Sequence, residues 1–453
     1  MDPATTNVLL ITANVGSMFE DPERMLKMWL GEFLKQVHSC QPDFLAVHCQ
    51  EVGGKNYEES MHYVNDFIKA ILSNDALDCY DKTRVFLDED FTAADKFTAL
   101  GNLYFIHESV KNVQMYDFIE SKFVSINGKE VLSGNIESVS LKEKAKFPKD
   151  FFPECKWSRK GFIRTRWSIN STQFDIINIH LFHDASNLIS MEASPSTYVA
   201  NRRRALEYTI NRIASDQHEN VPFFMFGDFN FRLDTQLLVK RLTEKTVMHS
   251  TLNKRNELSK LVYRDSNNTN RTVLTIEKKA FDHHEKHDEI FNSYMKWLHE
   301  YDNELDYFRD RVHEFELDFP PSYPFSEDTD DGCSYMKTRC PAWCDRIIMS
   351  HDAIELMPKQ SEAVYNMIGP TTCMGDHKPI YLHFKMKQGA ARVPPSTRDI
   401  TTPSINSEEL YYSDHTTAHV PSTQVRITHI ENTKYIHVRR QGSRVRVFRE
   451  TSV

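Results

Sequence analysis

Residues 221–230 read VPFFMFGDFN, an apolar run through Phe223, Phe224, Met225 and Phe226 that stops at Asp228 and Asn230. A strand that is apolar on both faces has to be covered on both faces, so it sits in the middle of a sheet enclosed by other layers. The chain must therefore stack sheets and helices, and this central strand carries two polar groups to its C-terminal end.

Other segments repeat that design. NVLLITANVG reads as a buried strand ending at Asn14, and PDFLAVHCQEVGG as one ending at Gln50 and Glu51 before a glycine turn. In FDIINIHLF, period-two alternation puts Ile177, Ile179 and Leu181 on one face and Asn178 with His180 on the other. DRIIMS (345–350) and PIYLHFKM (379–386) predict two short strands next to polar clusters, Asp345 at the first and Asp376–His377 before the second. Between the first two strands, Met25, Met28, Trp29, Phe33, Leu34 and Val37 recur at helical spacing, a stripe that belongs to the core.

The charged stretch over roughly 234–318 predicts a largely helical region. Its His283, His284 and His287, set among Glu285, Lys286 and Asp288, read as a solvated helix or loop rather than a metal cluster. After Lys387 the composition turns to Pro, Ser, Thr and Gly, which predicts a catalytic unit over 1–387 and, over 388–453, a linker and basic tail without order. Renewed alternation in the last thirty or so residues leaves one or two strands open there.

Charge narrows the function. The net charge is −9, although the last 28 residues hold seven Lys/Arg against two Asp/Glu, so the body is more acidic than the whole. Broad nucleic-acid binding, which needs clustered cations against phosphates, is not expected; a polyanionic substrate would need a local basic pocket. The eight cysteines are scattered, and Cys340 and Cys344 have no matching second pair, so free thiols are expected rather than a zinc site. With no run near the ~18 apolar residues of a membrane span and no signal-like N-terminus, the expected location is cytoplasmic.

Singly, an Asn or Asp at a strand end is a turn-former more often than a catalyst. Together, Asn14, Glu51, Asn178, His180, Asp228, Asn230, Asp345, Asp376 and His377 form the set that metal-assisted phosphate hydrolysis requires. Hard oxygen donors such as Glu51 and Asn14 suit Mg²⁺, which takes few protein ligands. Asp228 is the natural base for a water, and Asn230, two residues on, would hold that water. His377 could donate to a phosphoryl oxygen if Asp345 orients it, with His180 as a second donor.

The segments TANVG, CQE, NIHL, GDFNFR, CPAWCDRI and GDHKP, in that order along the chain, resemble those of the inositol polyphosphate 5-phosphatases, within the magnesium-dependent endonuclease/exonuclease/phosphatase superfamily. The resemblance spans about residues 7 to 386. It implies a four-layer α/β sandwich of the DNase I-like type, with two packed β-sheets flanked by helices and the active site at the strand ends. It also implies that Glu51 with Asn14 holds Mg²⁺, that Asp228 and Asn230 activate and place the water, and that Asp345 orients His377. Asp376 matches the second acid beside that histidine, and Asn178 with His180 a phosphate-facing pair.

FPECKWSRKGFIRTRW and HLFHDASN resemble the type I branch, whose substrates are the soluble inositol 1,4,5-trisphosphate and inositol 1,3,4,5-tetrakisphosphate and whose activity ends calcium-mobilising signals. Many lipid-directed members carry a Tyr-Lys pair where this chain has Tyr323–Pro324, so other cations must hold the non-scissile phosphates. Candidates are Lys156, Arg159, Lys160, Arg164, Arg166, Lys337 and Arg339, with Lys160 and Arg339 foremost; alternation puts Lys160, Phe162, Arg164 and Arg166 on one face. For the less favoured candidates, surface charges on an edge strand explain the pattern equally well. Two other readings stand beside this one: a phosphoinositide-lipid 5-phosphatase, and a catalytically silent scaffold acting through its tail.

Type I enzymes commonly end in a prenylated C-a-a-X box, but no cysteine follows Cys373, so a farnesyl anchor is not expected. The basic segment from Arg439 to Arg449 suits an anionic membrane surface, which would make the chain peripheral at the inner face of the plasma membrane. Thr451-Ser452-Val453 has the spacing of a C-terminal PDZ-domain ligand.

Overall fold

A computed structural model describes residues 4–390, apart from 94, 154–157, 216–217 and 294, together with the backbone of strands at 417–420, 423–430, 433–440 and 446–452. Lys156 and the side chains of the C-terminal segment lie outside the described residues.

Two sheets are stacked face to face. In the first, Val364–Met367, Ile380–Lys387, Thr5–Asn14, Phe44–Gln50, Gly101–Ile106, Lys82–Leu87 and Lys129–Ser133 lie side by side. In the second the order is Val312–His313, Asp345–Ser350, Phe223–Asp228, Thr172–His180, Gly161–Ile169, Val113–Asp117 and Lys122–Ser125. The FFMF run is central, flanked by Thr172–His180 in parallel and Asp345–Ser350 in antiparallel register.

Alternation along each strand explains why such runs are apolar throughout. Leu10, Phe44, Trp167, Phe174, Phe224 and Phe226 point between the sheets into one core. Their neighbours Leu9, Ile11, Leu45 and Val47 face outward onto Trp29, Phe33 and Val37 of the helix Pro22–Cys40 and Phe67 of Tyr63–Leu72. On the far side, Ile177, Ile179 and Met225 pack on Leu206, Ile210 and Ile213 of the helix Thr197–Ala214. The result is helix, sheet, sheet, helix, the four-layer sandwich. Each large side chain so buried contributes about 1.5–3 kcal/mol.

Gly227 shows how tightly the central strands approach. A Cβ there would lie 1.8 Å from the carbonyl oxygen of Ile179 on the adjacent strand, and no side-chain movement relieves a backbone clash. Gly227→Ala is expected to cost more than about 4 kcal/mol or prevent folding, read as soluble yield and thermal unfolding; a variant within ~1 kcal/mol of the parent would refute this packing.

The region expected to be largely helical is helical only at Thr235–Leu242 and in short turns beyond Glu289. Between them, Thr246–Leu252, Leu258–Asp265, Thr272–Glu277 and Ala280–Asp282 form a separate antiparallel sheet. Loops such as NKRNE and SNNTN mark its hairpin turns, and Leu261, Tyr263, Leu274 and Ile276 tie it to the main core. His283 and His287, expected to be solvated, are buried, His287 against Phe291 at 5.3 Å between ring centroids. In the C-terminal segment, the strand at Arg446–Ser452 runs parallel to Lys129–Ser133 and extends the first sheet together with Thr433–Arg440, Thr423–Ile430 and Thr417–Val420. Among the described residues, no helix is long and apolar enough to cross a membrane.

Candidate active site

Strand direction brings the polar ends to one place. Asn14 pairs with Gln50 at the end of two parallel strands, and His180 with Asp228 at the end of two more. Asp345 opens an antiparallel strand opposite Asp228, and the strand after Asp376–His377 runs antiparallel to Thr5–Asn14. At these strand ends the two sheets are joined by a hydrogen bond: Asn14 Nδ2 donates to Asp228 Oδ2 at 3.1 Å.

Asp228 is the hub. Its Oδ2 also receives Asn230 Nδ2 at 3.2 Å and lies 3.2 Å from His180 Nε2, while Oδ1 receives the Asn230 main-chain N–H at 2.8 Å. Burial alone would raise its pKa, but the charge on His377 and the bond from His180 outweigh that and hold the carboxyl well below the usual carboxylate range. Asn230 does more than the sequence suggested: with φ at 51°, its amide is turned onto Asp228, and Nδ2 also reaches the Leu181 carbonyl at 3.0 Å. The amide therefore orients the carboxylate rather than reaching outward to a water.

His377 stands on the other side of Asp228. Its Nδ1 lies 2.8 Å from Asp345 Oδ2, and that oxygen also accepts from Ser322 Oγ at 2.7 Å. Burial disfavours the imidazolium, yet Asp345 and Asp228 together push its pKa up to about 9. Asp228, Asp345 and His377 place one ligand-type atom each within 4.8 Å of one another, as a cation site would. His377, held positive by Asp345 and Asp228, itself places a cation between the two carboxylates.

Glu51 and Asn14 are different. A Cβ on Gly16 would lie 2.7 Å from Glu51 Oε2 and 3.2 Å from Asn14 Oδ1, so the bare glycine keeps open a cradle between two hard oxygens. Burial raises the Glu51 pKa, but Lys160, His180 and Arg159 overcome it and bring the value to about 2, so the group is a carboxylate at neutral pH. Glu51 also holds φ at 56°, a left-handed conformation that costs a non-glycine residue roughly 1 kcal/mol and aims the side chain inward. This donor set fits a small, hard divalent cation.

Of the expected substrate-binding residues, Lys160 touches the His180 ring nitrogen, and Tyr323 lies on His377 with ring centroids 4.4 Å apart. Arg339 stands at the rim, donating to Asn187 Oδ1 and the Lys278 carbonyl at 2.8 Å each. Arg164 does not belong to the site. It is fully buried on Asp175, with Nε and Nη2 at 2.8 and 2.6 Å from the same oxygen, and Arg166 shares that carboxylate. Nor is Asn178 phosphate-facing: its Nδ2 bonds the carbonyls of Cys49 and Gly101 and the side chain of Asn102, and its Oδ1 accepts from Gln50, bolting one sheet to the other. Asp376 makes its hydrogen bonds to its surroundings, accepting from Ser17 Oγ at 2.6 Å and Lys55 Nζ at 3.2 Å, and acts on the His377 imidazole through its charge, which adds to the rise in that pKa.

Ser17, Lys55, Ser322 and Arg232 are contacts that the sequence reading missed. Arg232 had a signal, because it continues the spacing of two set by Asp228 and Asn230.

The family described as Endonuclease/Exonuclease/phosphatase family 2 matches residues 11–292 and 261–383. Inositol polyphosphate-5-phosphatase A of Homo sapiens is 51% identical over 393 residues, covering 85% of this chain and 95% of its own length. The probable type I inositol 1,4,5-trisphosphate 5-phosphatase of Caenorhabditis elegans is 38% identical over 412 residues, covering 83% and 99%. The crystal structure of the inositol polyphosphate 5-phosphatase domain of SPsynaptojanin, in complex with inositol (1,4)-bisphosphate and calcium ion, aligns at 16% identity and a TM-score of 0.45, covering 85% of each chain.

Proposed function

The chain belongs to the inositol polyphosphate 5-phosphatases of the endonuclease/exonuclease/phosphatase family, and from that membership we propose that it removes the 5-phosphate from soluble inositol 1,4,5-trisphosphate and inositol 1,3,4,5-tetrakisphosphate with Mg²⁺ as cofactor. The observation that carries the reading is Asp228, buried and ionised, with His180 and the Asn14 amide on one oxygen and the His377 imidazolium beside it.

Asp228 takes a proton from the attacking water as its oxygen bonds to phosphorus; the P–O bond to the inositol 5-oxygen breaks, its electron pair leaves on that oxygen, which takes a proton from solvent, and Asp228 returns its proton to solvent. His377, held charged by Asp345, donates to a non-bridging phosphoryl oxygen where negative charge develops. His180, its pKa lowered by burial and by Lys160, stays neutral and fixes the orientation of Asp228. Glu51 and Asn14 would hold Mg²⁺, whose chemistry is Lewis-acid stabilisation of the phosphoryl charge. Lys160 and Arg339 supply cations for the remaining phosphates, and residues 1–387 form the catalytic unit.

Soluble substrate is favoured over lipid because the residue after Tyr323 is a buried proline, which offers no charge to a headgroup phosphate. The test is phosphate release by the purified chain, with Mg²⁺ or EDTA, from inositol 1,4,5-trisphosphate and from phosphatidylinositol 4,5-bisphosphate vesicles. Mg²⁺-dependent hydrolysis of the soluble substrate is expected. Preference for vesicles would replace the substrate, and no release from either would leave the silent scaffold.

A further inference from the structure

Arg232 has no part in the chemistry above, yet it lies within the site. Its main-chain N–H donates to Glu304 Oε1 at 2.8 Å, and Arg202 grips that carboxylate through both oxygens at 2.8 and 2.7 Å. The backbone is thus pinned, and the side chain is 9% exposed.

The guanidinium is poorly satisfied for so buried a group. Nη2 donates to Asn230 Oδ1 at 2.7 Å, but Nε and Nη1 are shut off from solvent without a hydrogen-bond partner among the described residues. Among the described residues no carboxylate forms an ion pair with it. A buried cation with two idle donors weakens the fold, and an apolar residue of similar size would pack there at less cost. Stability therefore does not explain the arginine.

Orientation does. Guanidinium can only donate, so the Asn230 oxygen must face Arg232 and the Asn230 amino group must face Asp228. The Leu181 carbonyl, 3.0 Å from Nδ2, asks for the same orientation at the amino end, and Arg232 supplies the donor that holds the oxygen end. The same guanidinium lies over the Tyr323 ring, 4.6 Å from its centroid, and Tyr323 in turn lies against His377. One planar cation thus braces the routes to both proton-handling groups.

We propose that Arg232 is a positioning residue, which fixes the amide of Asn230 and the ring of Tyr323, and through them Asp228 and His377, without touching substrate. The proposal rests on the phosphatase reading.

The test uses the full chain carrying Arg232→Lys, Arg232→Gln or Arg232→Ala, with inositol 1,4,5-trisphosphate and Mg²⁺. In the Lys and Gln variants kcat is expected to fall about 100-fold, the scale of a small misplacement of reacting groups. KM and the calorimetric affinity for the product inositol 1,4-bisphosphate stay within about twofold, since no substrate contact is lost. Millimolar guanidinium partly restores Arg232→Ala, whereas ethylammonium, a cation without the planar fork, does not. A raised KM with kcat retained would make Arg232 a substrate ligand and overturn the proposal. Unchanged kinetics would make it a bystander, and loss of folding in both Lys and Gln variants would make it structural. If the parent chain itself released no phosphate, the phosphatase reading would fall instead, a separate result.

Discussion

Asp228→Asn lowers kcat by about 10⁴-fold, the upper range for removing a general base, while the protein still unfolds cooperatively. Asparagine has the same shape and keeps one oxygen for the donors of Asn14, Asn230 and His180, which converge on Oδ2 within 3.2 Å. Its amino group must then face the Asn230 N–H that Oδ1 accepts in the parent, setting donor against donor. The negative charge beside His377 is lost as well. A moderate drop in stability therefore accompanies a far larger loss of turnover, and comparing kcat with the unfolding midpoint separates them. Retention of more than about one hundredth of the parental kcat would rule out Asp228 as the base.

The second large effect is at high pH. In the proposed mechanism His377 acts as the imidazolium, and with its pKa raised to about 9, activity should hold through neutral pH and fall as pH passes that value. The same proton links to stability. The folded pKa lies above the ordinary value of 6.5, so the stabilisation from the Asp345–His377 pair is complete below 6.5 and is lost as pH rises through about 9. His377→Gln should lower kcat about 10³-fold, as for loss of a donor to a developing oxyanion, and should erase the alkaline limb. Profiles of kcat/KM from pH 6 to 10.5 decide the matter; a limb that persists in His377→Gln belongs to another group.

The ends of the strands were legible because each apolar run stops at a polar residue, and a period of two then names the face. What alternation cannot supply is depth. Arg164 shares a strand face with Lys160, but Asp175, which pairs with Arg166 on the adjacent strand and so lies diagonal to Arg164, is on the same side, and that buried carboxylate takes the guanidinium out of reach of any substrate. Asn178 likewise faces the opposing sheet, whose carbonyls cannot be located from its own strand. The strands at 246–282 were hidden by charge: where one face of a small sheet is wet, Lys and Glu interrupt the apolar rhythm and the segment imitates a solvated helix. The convergence itself, with Asn14 and Asp228 joined across 214 residues, is a property of the stacked sheets; the recurrence of polar groups at strand ends and the family resemblance suggested it, but no single strand carries it.

That junction divides the labour of the site between the two sheets. The oxygens proposed to hold the cation, Asn14 and Glu51, are borne by one sheet; the proposed base Asp228, with His180 beside it and Asp345, which bonds His377, is borne by the other. Neither sheet owns a reaction, and the shared core beneath them serves as an alignment gauge. A shear of the sheets by even an ångström would leave every strand intact and every residue in place on its own support, yet would part the anchor of the phosphate from the group that readies its attacker. In this fold, the sliding stiffness between layers is itself a catalytic property.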